Sequence, residues 1–217
     1  MTASIYFFRL NEPFLIGPTP SGWKEPLTMR IISGTARGTR LASLGSADIR
    51  PTLDRVKESF FNQVGPGLEG VAFLDLFAGS GGMGVEALSR DAKTVVFVEP
   101  NPEAQRIIMQ NLEKCKMTSD APRWVLLKSP ALAGLQTLKE RELDFDLVYI
   151  DPPFADDLYE PTLLELSPSG ILRQDATIVV EHFHKTVLQK NYGKLEFYKD
   201  RRLGDSCLSF FRFKDSL

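Results

Sequence analysis

Phe73-Leu74-Asp75-Leu76-Phe77-Ala78-Gly79-Ser80-Gly81-Gly82-Met83-Gly84 is a short apolar run that breaks into a glycine-rich turn and resumes as a helical pattern. Apolar residues bounded by glycine read as a buried strand. The glycines let the chain turn with positive φ and bring its backbone close to a ligand. A helix that starts there leaves its first N–H groups unpaired, facing whatever sits in the turn. Strand, turn and helix in this order open a doubly wound α/β sheet. Downstream, strands are predicted at 94–99, 123–128, 145–150, 176–183, 195–200 and 207–213 after a first one at 71–77. Helices are predicted at 82–90, 102–116, 131–140 and 157–166. The first five strands alternate with helices, which predicts a parallel sheet. The last two are joined by a short turn around Gly204 and predict an antiparallel hairpin at one side.

Glu99 ends the second strand, twenty residues after Gly79. An acid at that place can accept hydrogen bonds from ribose hydroxyls. Gly79-x-Gly81-x-x-Gly84 also matches the dinucleotide fingerprint. The turn and Glu99 therefore point to an adenosine-containing cofactor and leave open a dinucleotide or S-adenosylmethionine.

Asp151-Pro152-Pro153-Phe154 ends the fourth strand, Phe145-Asp146-Leu147-Val148-Tyr149-Ile150. Two prolines fix φ and remove two N–H donors, and each forces the residue before it into an extended shape. The loop offers acceptors only, the Asp151 carboxylate and nearby carbonyls, with Phe154 as a flat face. A doubly wound sheet places it beside the glycine turn at the carboxyl edge, where ligands bind. Hydride transfer has no evident use for such a loop; methyl transfer to an –NH2 group on a planar ring does. Acceptors that grip the amine hydrogens hold the nitrogen in line with the methyl and favour pyramidalisation. Phe154 would stack on a base that has left its helix or sits in an open loop.

The 217 residues, 43% hydrophobic, suffice for one domain with a full core. Apolar stretches fall short of a membrane span, and the first residues lack a secretory pattern. Cys115 and Cys207 suit a reduced cytosol and cannot form a metal site alone. Net charge is −2, but it is segregated. Residues 30–57 hold six Lys/Arg (Arg30, Arg37, Arg40, Arg50, Arg55 and Lys57) against two acids, and residues 185–214 hold eight against three. Two basic flanks around an acidic centre fit contact with phosphate.

Residues 1–28 lack periodicity, contain Pro13, Pro18, Pro20 and Pro26, and read as a loosely attached extension, with Met29 as a natural start. Residues 29–217 read as a single domain. Within it, 30–42 look like a small hairpin. Thr52 is expected to cap a helix through about Gln63, with Leu53, Val56, Phe60 and Val64 on one face.

From Met29 to about Phe213 the chain resembles the RsmD family of bacterial 16S rRNA guanine-N2 methyltransferases. The matching blocks are Arg30-Ile31-Ile32-Ser33-Gly34, Arg50-Pro51-Thr52-Leu53-Asp54-Arg55-Val56-Lys57-Glu58, Leu74 to Gly81, Glu86-Ala87-Leu88-Ser89-Arg90 and Asp151 to Phe154. The glycine and Pro-Pro loops occur across many methyltransferases; the Arg-Pro-Thr block is far more specific. The resemblance implies a Rossmann-like class I S-adenosylmethionine-dependent methyltransferase. Its α/β sheet would have seven mostly parallel strands in the order 3-2-1-4-5-7-6 with the last antiparallel, behind the small N-terminal hairpin and helix.

The resemblance implies S-adenosylmethionine as cofactor and, as acceptor, N2 of one guanine of 16S rRNA, position 966 in that RNA. It places the reaction in the cytoplasm during small-subunit assembly, on a partly assembled 30S subunit. A monomer without metal is expected. Asp75, Phe77 and the backbone of Ala78, Gly79, Ser80 and Gly81 would hold the methionine end, Glu99 the ribose, and Asn101 would lie near the adenine. Asp151 and the carbonyl of Pro152, in a loop stiffened by Pro153, would hold the guanine amine, with Phe154 stacked. Arg37, Arg40, Arg50, Thr52 and Arg55 would meet RNA or close over the cofactor. Where the family has an acidic or amide residue after the third strand, this chain has Lys128-Ser129-Pro130-Ala131, which leaves Ser129 or a backbone carbonyl to meet the adenine amino group.

His182 and His184 follow Glu181, but two histidines without cysteines are weak as a metal site, and a structural or substrate-side role is expected. Phe197, Tyr198, Phe210, Phe211 and Phe213 at strand spacing are expected in the core rather than stacked on bases. Other acceptors fit the Pro-Pro loop too: adenine N6 of DNA, or a glutamine amide of a protein. A non-catalytic rRNA-binding assembly factor is the remaining alternative.

Overall fold

The computed structural model describes residues 29–44, 52–119, 123–153 and 157–213, with Thr52, Leu53 and Phe213 described by backbone alone. The expected extension 1–28 lies outside them. Among the described residues eight strands form one sheet: β1 (Ala72–Asp75), β2 (Thr94–Val98), β3 (Trp124–Leu127), β4 (Phe145–Ile150), β5 (Leu172–Phe183), β6 (Asn191–Tyr192), β7 (Leu195–Leu203) and β8 (Ser206–Phe213). Their order is β3-β2-β1-β4-β5-β8-β7-β6. The first five pair in parallel, and β8 enters antiparallel between β5 and β7. This is the α/β class I arrangement expected from the alternation, with one more strand than the seven expected. The extra strand, β6, is two residues at the edge, too short to carry a period.

Five helices among the described residues cover the sheet: α1 (Thr52–Val64), α2 (Gly82–Ser89), α3 (Pro102–Lys114), α4 (Ala131–Glu140) and α5 (Tyr159–Leu166). Side chains alternate across the strands, so two apolar layers form. Phe73, Phe97, Leu147 and Tyr149 meet α1, α2 and α3 on one face; Leu74, Val96, Val148 and Ile178 meet α4 and α5 on the other. On α1, Val56, Phe60 and Phe61 are buried while Val64 is half-buried. Fully burying a side chain of this size contributes about 1.5–3 kcal/mol. Leu53, expected on that face, has its side chain outside the described residues.

β5 begins four residues before the expected start, and the reason is electrostatic. Arg173 pairs with Asp144 at 2.9 Å and Asp146 at 2.6 Å, so polar residues extend the ladder where hydropathy gives no signal. The expected hairpin at 30–42 closes around one antiparallel bridge, Arg30↔Arg40, with Ile31 N donating to Thr39 O at 2.9 Å and Leu41 N to Met29 O at 2.7 Å. Its other backbone groups reach the helices. Both Glu86 oxygens accept backbone N–H groups, from Ile32 at 2.8 Å and Ser33 at 2.9 Å. Ser89 Oγ accepts from Ala36 N at 2.9 Å, and Asn111 binds both backbone groups of Ala42. A short segment that closes on itself is thus also docked on α2 and α3. Among the described residues no helix is long and apolar enough to cross a membrane.

Candidate active site

The turn after β1 is held open by its neighbours. Leu76 N donates to Tyr149 O at 3.1 Å, and Ala78 N to Val98 O at 3.0 Å, which ties the turn to β4 and β2. Gly81 caps α2 with φ 77°, a left-handed conformation that favours glycine. A Cβ on Gly84 would lie 2.2 Å from the Phe97 ring, so α2 can sit this close to β2 only with glycine there. On Gly79 a Cβ would meet nothing within 4 Å, and the backbone faces open space.

Three acids converge on this turn. Asp75 is 1% exposed, and its Oδ2 accepts the Gly84 N–H at 2.9 Å. Burial pushes its carboxyl up to about 7; the Gly84 bond opposes this and Glu99 adds to it. Glu99 accepts Gly79 N at 2.8 Å with one oxygen and Asn101 N at 2.8 Å with the other, fixing the turn against the end of β2. Asn101 caps α3 by accepting from Glu103 N and Ala104 N, ahead of Pro102. Asp151 follows β4 directly. It keeps some solvent contact, yet protein encloses its carboxyl, and burial raises it well above the carboxylate range, with Glu181 and then Asp75 adding to the rise.

Asp75, Phe77, Ala78, Gly79, Ser80, Gly81, Glu99, Asn101 and Asp151 therefore gather at the carboxyl ends of β1, β2 and β4. Phe77 is half-buried against the α4/α5 core. Pro152 is buried beneath Asp151, and Pro153 is exposed. Ser129 follows β3, and its buried Oγ finds no hydrogen-bond partner among the described residues. Arg37 and Arg40 are exposed on the segment docked on α2, and Arg55 is exposed on the first turn of α1. Phe154 and Arg50 lie outside the described residues, as does the side chain of Thr52.

Two features escaped sequence reasoning. Glu181, on β5, is 5% exposed and accepts the hydroxyl of Tyr149. The available signal was an acid ending an apolar run, Ile178-Val179-Val180, just as Asp151 does. The other is the buried group of Lys57, Glu86 and Arg90 under the N-terminal segment. His182 is buried, with its ring nitrogens 2.8 Å from Ser209 Oγ and 2.9 Å from the Phe183 carbonyl, a structural role. No group of side chains suited to a metal ion is present among the described residues. Phe210 and Phe211 are buried in the core and Phe197 is half-buried, whereas Tyr198 is 38% exposed at a bulge in β7. The bulge turns this one aromatic outward from the core position expected for it.

Comparison with known proteins gives consistent matches. Residues 29–212 match the family described as conserved hypothetical protein 95. The chain is 39% identical over 155 residues to ribosomal RNA small subunit methyltransferase D of Haemophilus influenzae, covering 70% of this chain and 78% of that one. To the protein of the same name in Escherichia coli strain K12 it is 37% identical over 153 residues, covering 70% and 74%. Among solved structures, a conserved hypothetical protein of Streptococcus pyogenes superposes with a TM-score of 0.66 at 33% identity, covering 73% of this chain and 95% of that one.

Proposed function

The chain belongs to the RsmD family, whose family model is described as conserved hypothetical protein 95, and on that premise we propose that it methylates the exocyclic N2 amine of one guanine in 16S rRNA from S-adenosylmethionine. The observation that carries this reading is the placement of the glycine turn and Asp151 at the ends of adjacent parallel strands, β1 and β4. An adenosine-binding turn and an acceptor-only loop thereby share one edge.

The residues fit the cofactor. Gly79 presents open backbone, Glu99 brings a carboxylate to the end of β2, and Ser129 Oγ is a buried polar atom in want of a partner. Asp75, Phe77 and Ala78 to Gly81 would hold the methionine end, Glu99 the ribose, and Asn101 and Ser129 the adenine side. When bound, S-adenosylmethionine supplies a methyl group on a positively charged sulfur.

The chain's own residues do the rest. Asp151 and the Pro152 carbonyl accept the hydrogens of the acceptor amine and aim its nitrogen. Pro152 and Pro153 bring no N–H that would compete for these acceptors. Phe154 stacks on the base, while Arg37, Arg40, Arg50 and Arg55 meet phosphate. The substrate is 16S rRNA within a partly assembled 30S subunit, and the enzyme acts as a cytoplasmic monomer.

Mass-spectrometric mapping of methylated guanines in small-subunit rRNA, from cells with and without this gene, tests the reading. Loss of one N2-methylguanosine, restored by the gene, is the expected result. Unchanged small-subunit guanines, or a lost mark on DNA adenine or protein glutamine, would overturn it.

A further inference from the structure

Glu181 lies on β5, the strand beside the one that ends in Asp151. Pairing runs Tyr149↔Val179 and Ile150↔Val180. One more step along two parallel strands, about 4.8 Å apart, sets Asp151 next to Glu181. Residues two apart share a face, so Tyr149, Asp151 and Glu181 lie on the side covered by α1 and α2. Asp75 joins them from β1, where it pairs with Tyr149. Carboxyls from three neighbouring strands thus surround one phenol.

Glu181 is partnered by hydroxyls, those of Tyr149 and Ser206, rather than by a cation. Its Oε2 accepts the Tyr149 hydroxyl, a group itself 3% exposed. The buried cations of this face are engaged elsewhere, Lys57 and Arg90 both with Glu86. A buried acid held by a hydroxyl rather than a cation destabilises the fold, and an apolar or amide residue would serve packing better. The phenol therefore fixes the carboxyl in place without cancelling its charge.

During methyl transfer the amine nitrogen forms its new bond to carbon as the sulfur–carbon bond breaks. Nitrogen then carries the positive charge and sheds one proton to a base, leaving a neutral methylamine. An isolated carboxylate is a poor base; one beside a second negative charge holds a proton more firmly. We propose that Glu181, fixed by Tyr149, is a positioning residue that lays a negative charge beside Asp151 and so makes Asp151 the acceptor of that proton. This rests on the methyl-transfer reading of the site. The surroundings agree: burial, then Glu181, then Asp75 raise Asp151, while burial raises Glu181 against the pull of Tyr149 and Ser206. Tyr159, at the start of α5, is raised by burial and then by the same two acids, Asp151 before Glu181. Each carboxyl makes the other harder to ionise, so the two titrate as one unit, and a cation entering beside them favours release of the proton they hold.

Calorimetry of S-adenosylmethionine binding to the full chain near pH 7, in two buffers of different ionisation enthalpy, counts the protons released. Proton release is expected with S-adenosylmethionine, and clearly less with S-adenosylhomocysteine, which lacks the sulfonium charge. Glu181→Gln keeps the shape and an acceptor for Tyr149; it should cut the release at least twofold. In the same variant the acidic limb of the rate profile should move down by roughly one pH unit, because Asp151 then ionises more easily; a merely structural glutamate would scale the rate without moving the limb. Equal release for the two ligands by the wild type, a measurement that needs no variant, would overturn the proposal. So would equal release by wild type and Glu181→Gln. Binding of neither ligand would overturn the methyl-transfer reading, and the proposal with it.

Discussion

Lys57 Nζ lies 3.4 Å from Glu86 Oε2, and both side chains are closed to solvent. Burial lowers the Lys57 ammonium, and Glu86 offsets part of this. Glu86 also accepts Arg90 Nε at 2.9 Å and the N–H groups of Ile32 and Ser33. Glu86→Ala would strand two buried cations and two backbone donors together. A loss of about 3–5 kcal/mol is expected in urea unfolding, with protease cleavage appearing between residues 29 and 44. A loss below about 1 kcal/mol would mean that water replaces the carboxylate.

Asp151 is the side chain whose removal separates binding from chemistry. Asp151→Ala should lower methyl transfer by at least about 100-fold. Affinity for S-adenosylmethionine should stay within about tenfold, since Asp75, Glu99 and the turn backbone remain. Single-turnover rates and calorimetric binding check this, and unchanged turnover would remove Asp151 from the site.

The alternation of strands and helices was legible because each buried strand is an apolar run and each helix a period. β4 matched its expected bounds, Phe145–Ile150, for that reason. What escaped was polar and long-range. The early start of β5 depends on Arg173 meeting Asp144 and Asp146, and docking of residues 30–42 depends on Glu86, Ser89 and Asn111, each more than fifty positions away. Asp75, Glu99 and Asp151 were legible since each ends a strand beside a turn. Glu181 escaped because its meaning lies in its register with Asp151, and register appears only once β4 and β5 pair.

Asp75 makes stability depend on pH. Its folded value, about 7, lies above the ordinary 3.8, so between those values the folded chain holds more protons than the unfolded. Its contribution is fully present below about pH 3.8 and is lost as pH rises through about 7. Asp75→Asn keeps an acceptor for Gly84 N and removes the titration. The variant should be more stable than wild type at pH 8 by at least about 1 kcal/mol, with the gain shrinking at pH 5. Denaturant midpoints at both values check this; a gain larger at pH 5 would reverse the sign.

Arg37 and Arg40 stand exposed on the segment that Glu86 and Ser89 hold against α2. If they meet RNA phosphate, replacing both with alanine should weaken binding evenly across sequences. The slope of log affinity against log salt should fall by about one to two. Filter binding from 50 to 200 mM salt measures it. An unchanged slope would place the RNA on another face.

Tyr159 opens α5 immediately beyond the Pro-Pro loop, with its ring edge-on to His182 at 6.2 Å. It is 6% exposed, and its hydroxyl finds no hydrogen-bond partner among the described residues. Burial pushes the phenol up to about 12, with Asp151 and Glu181 adding to it, so it stays protonated throughout the working range. An unpartnered buried hydroxyl costs about 1–3 kcal/mol. Tyr159→Phe removes that cost and keeps the ring, so the melting temperature should hold or rise by a few degrees. A bonded hydroxyl would give the opposite sign. A fall of more than about 2 °C in a thermal melt would therefore show that the phenol has found a partner in solution, and Asp151, the acid it feels most strongly, is where that partner should be sought.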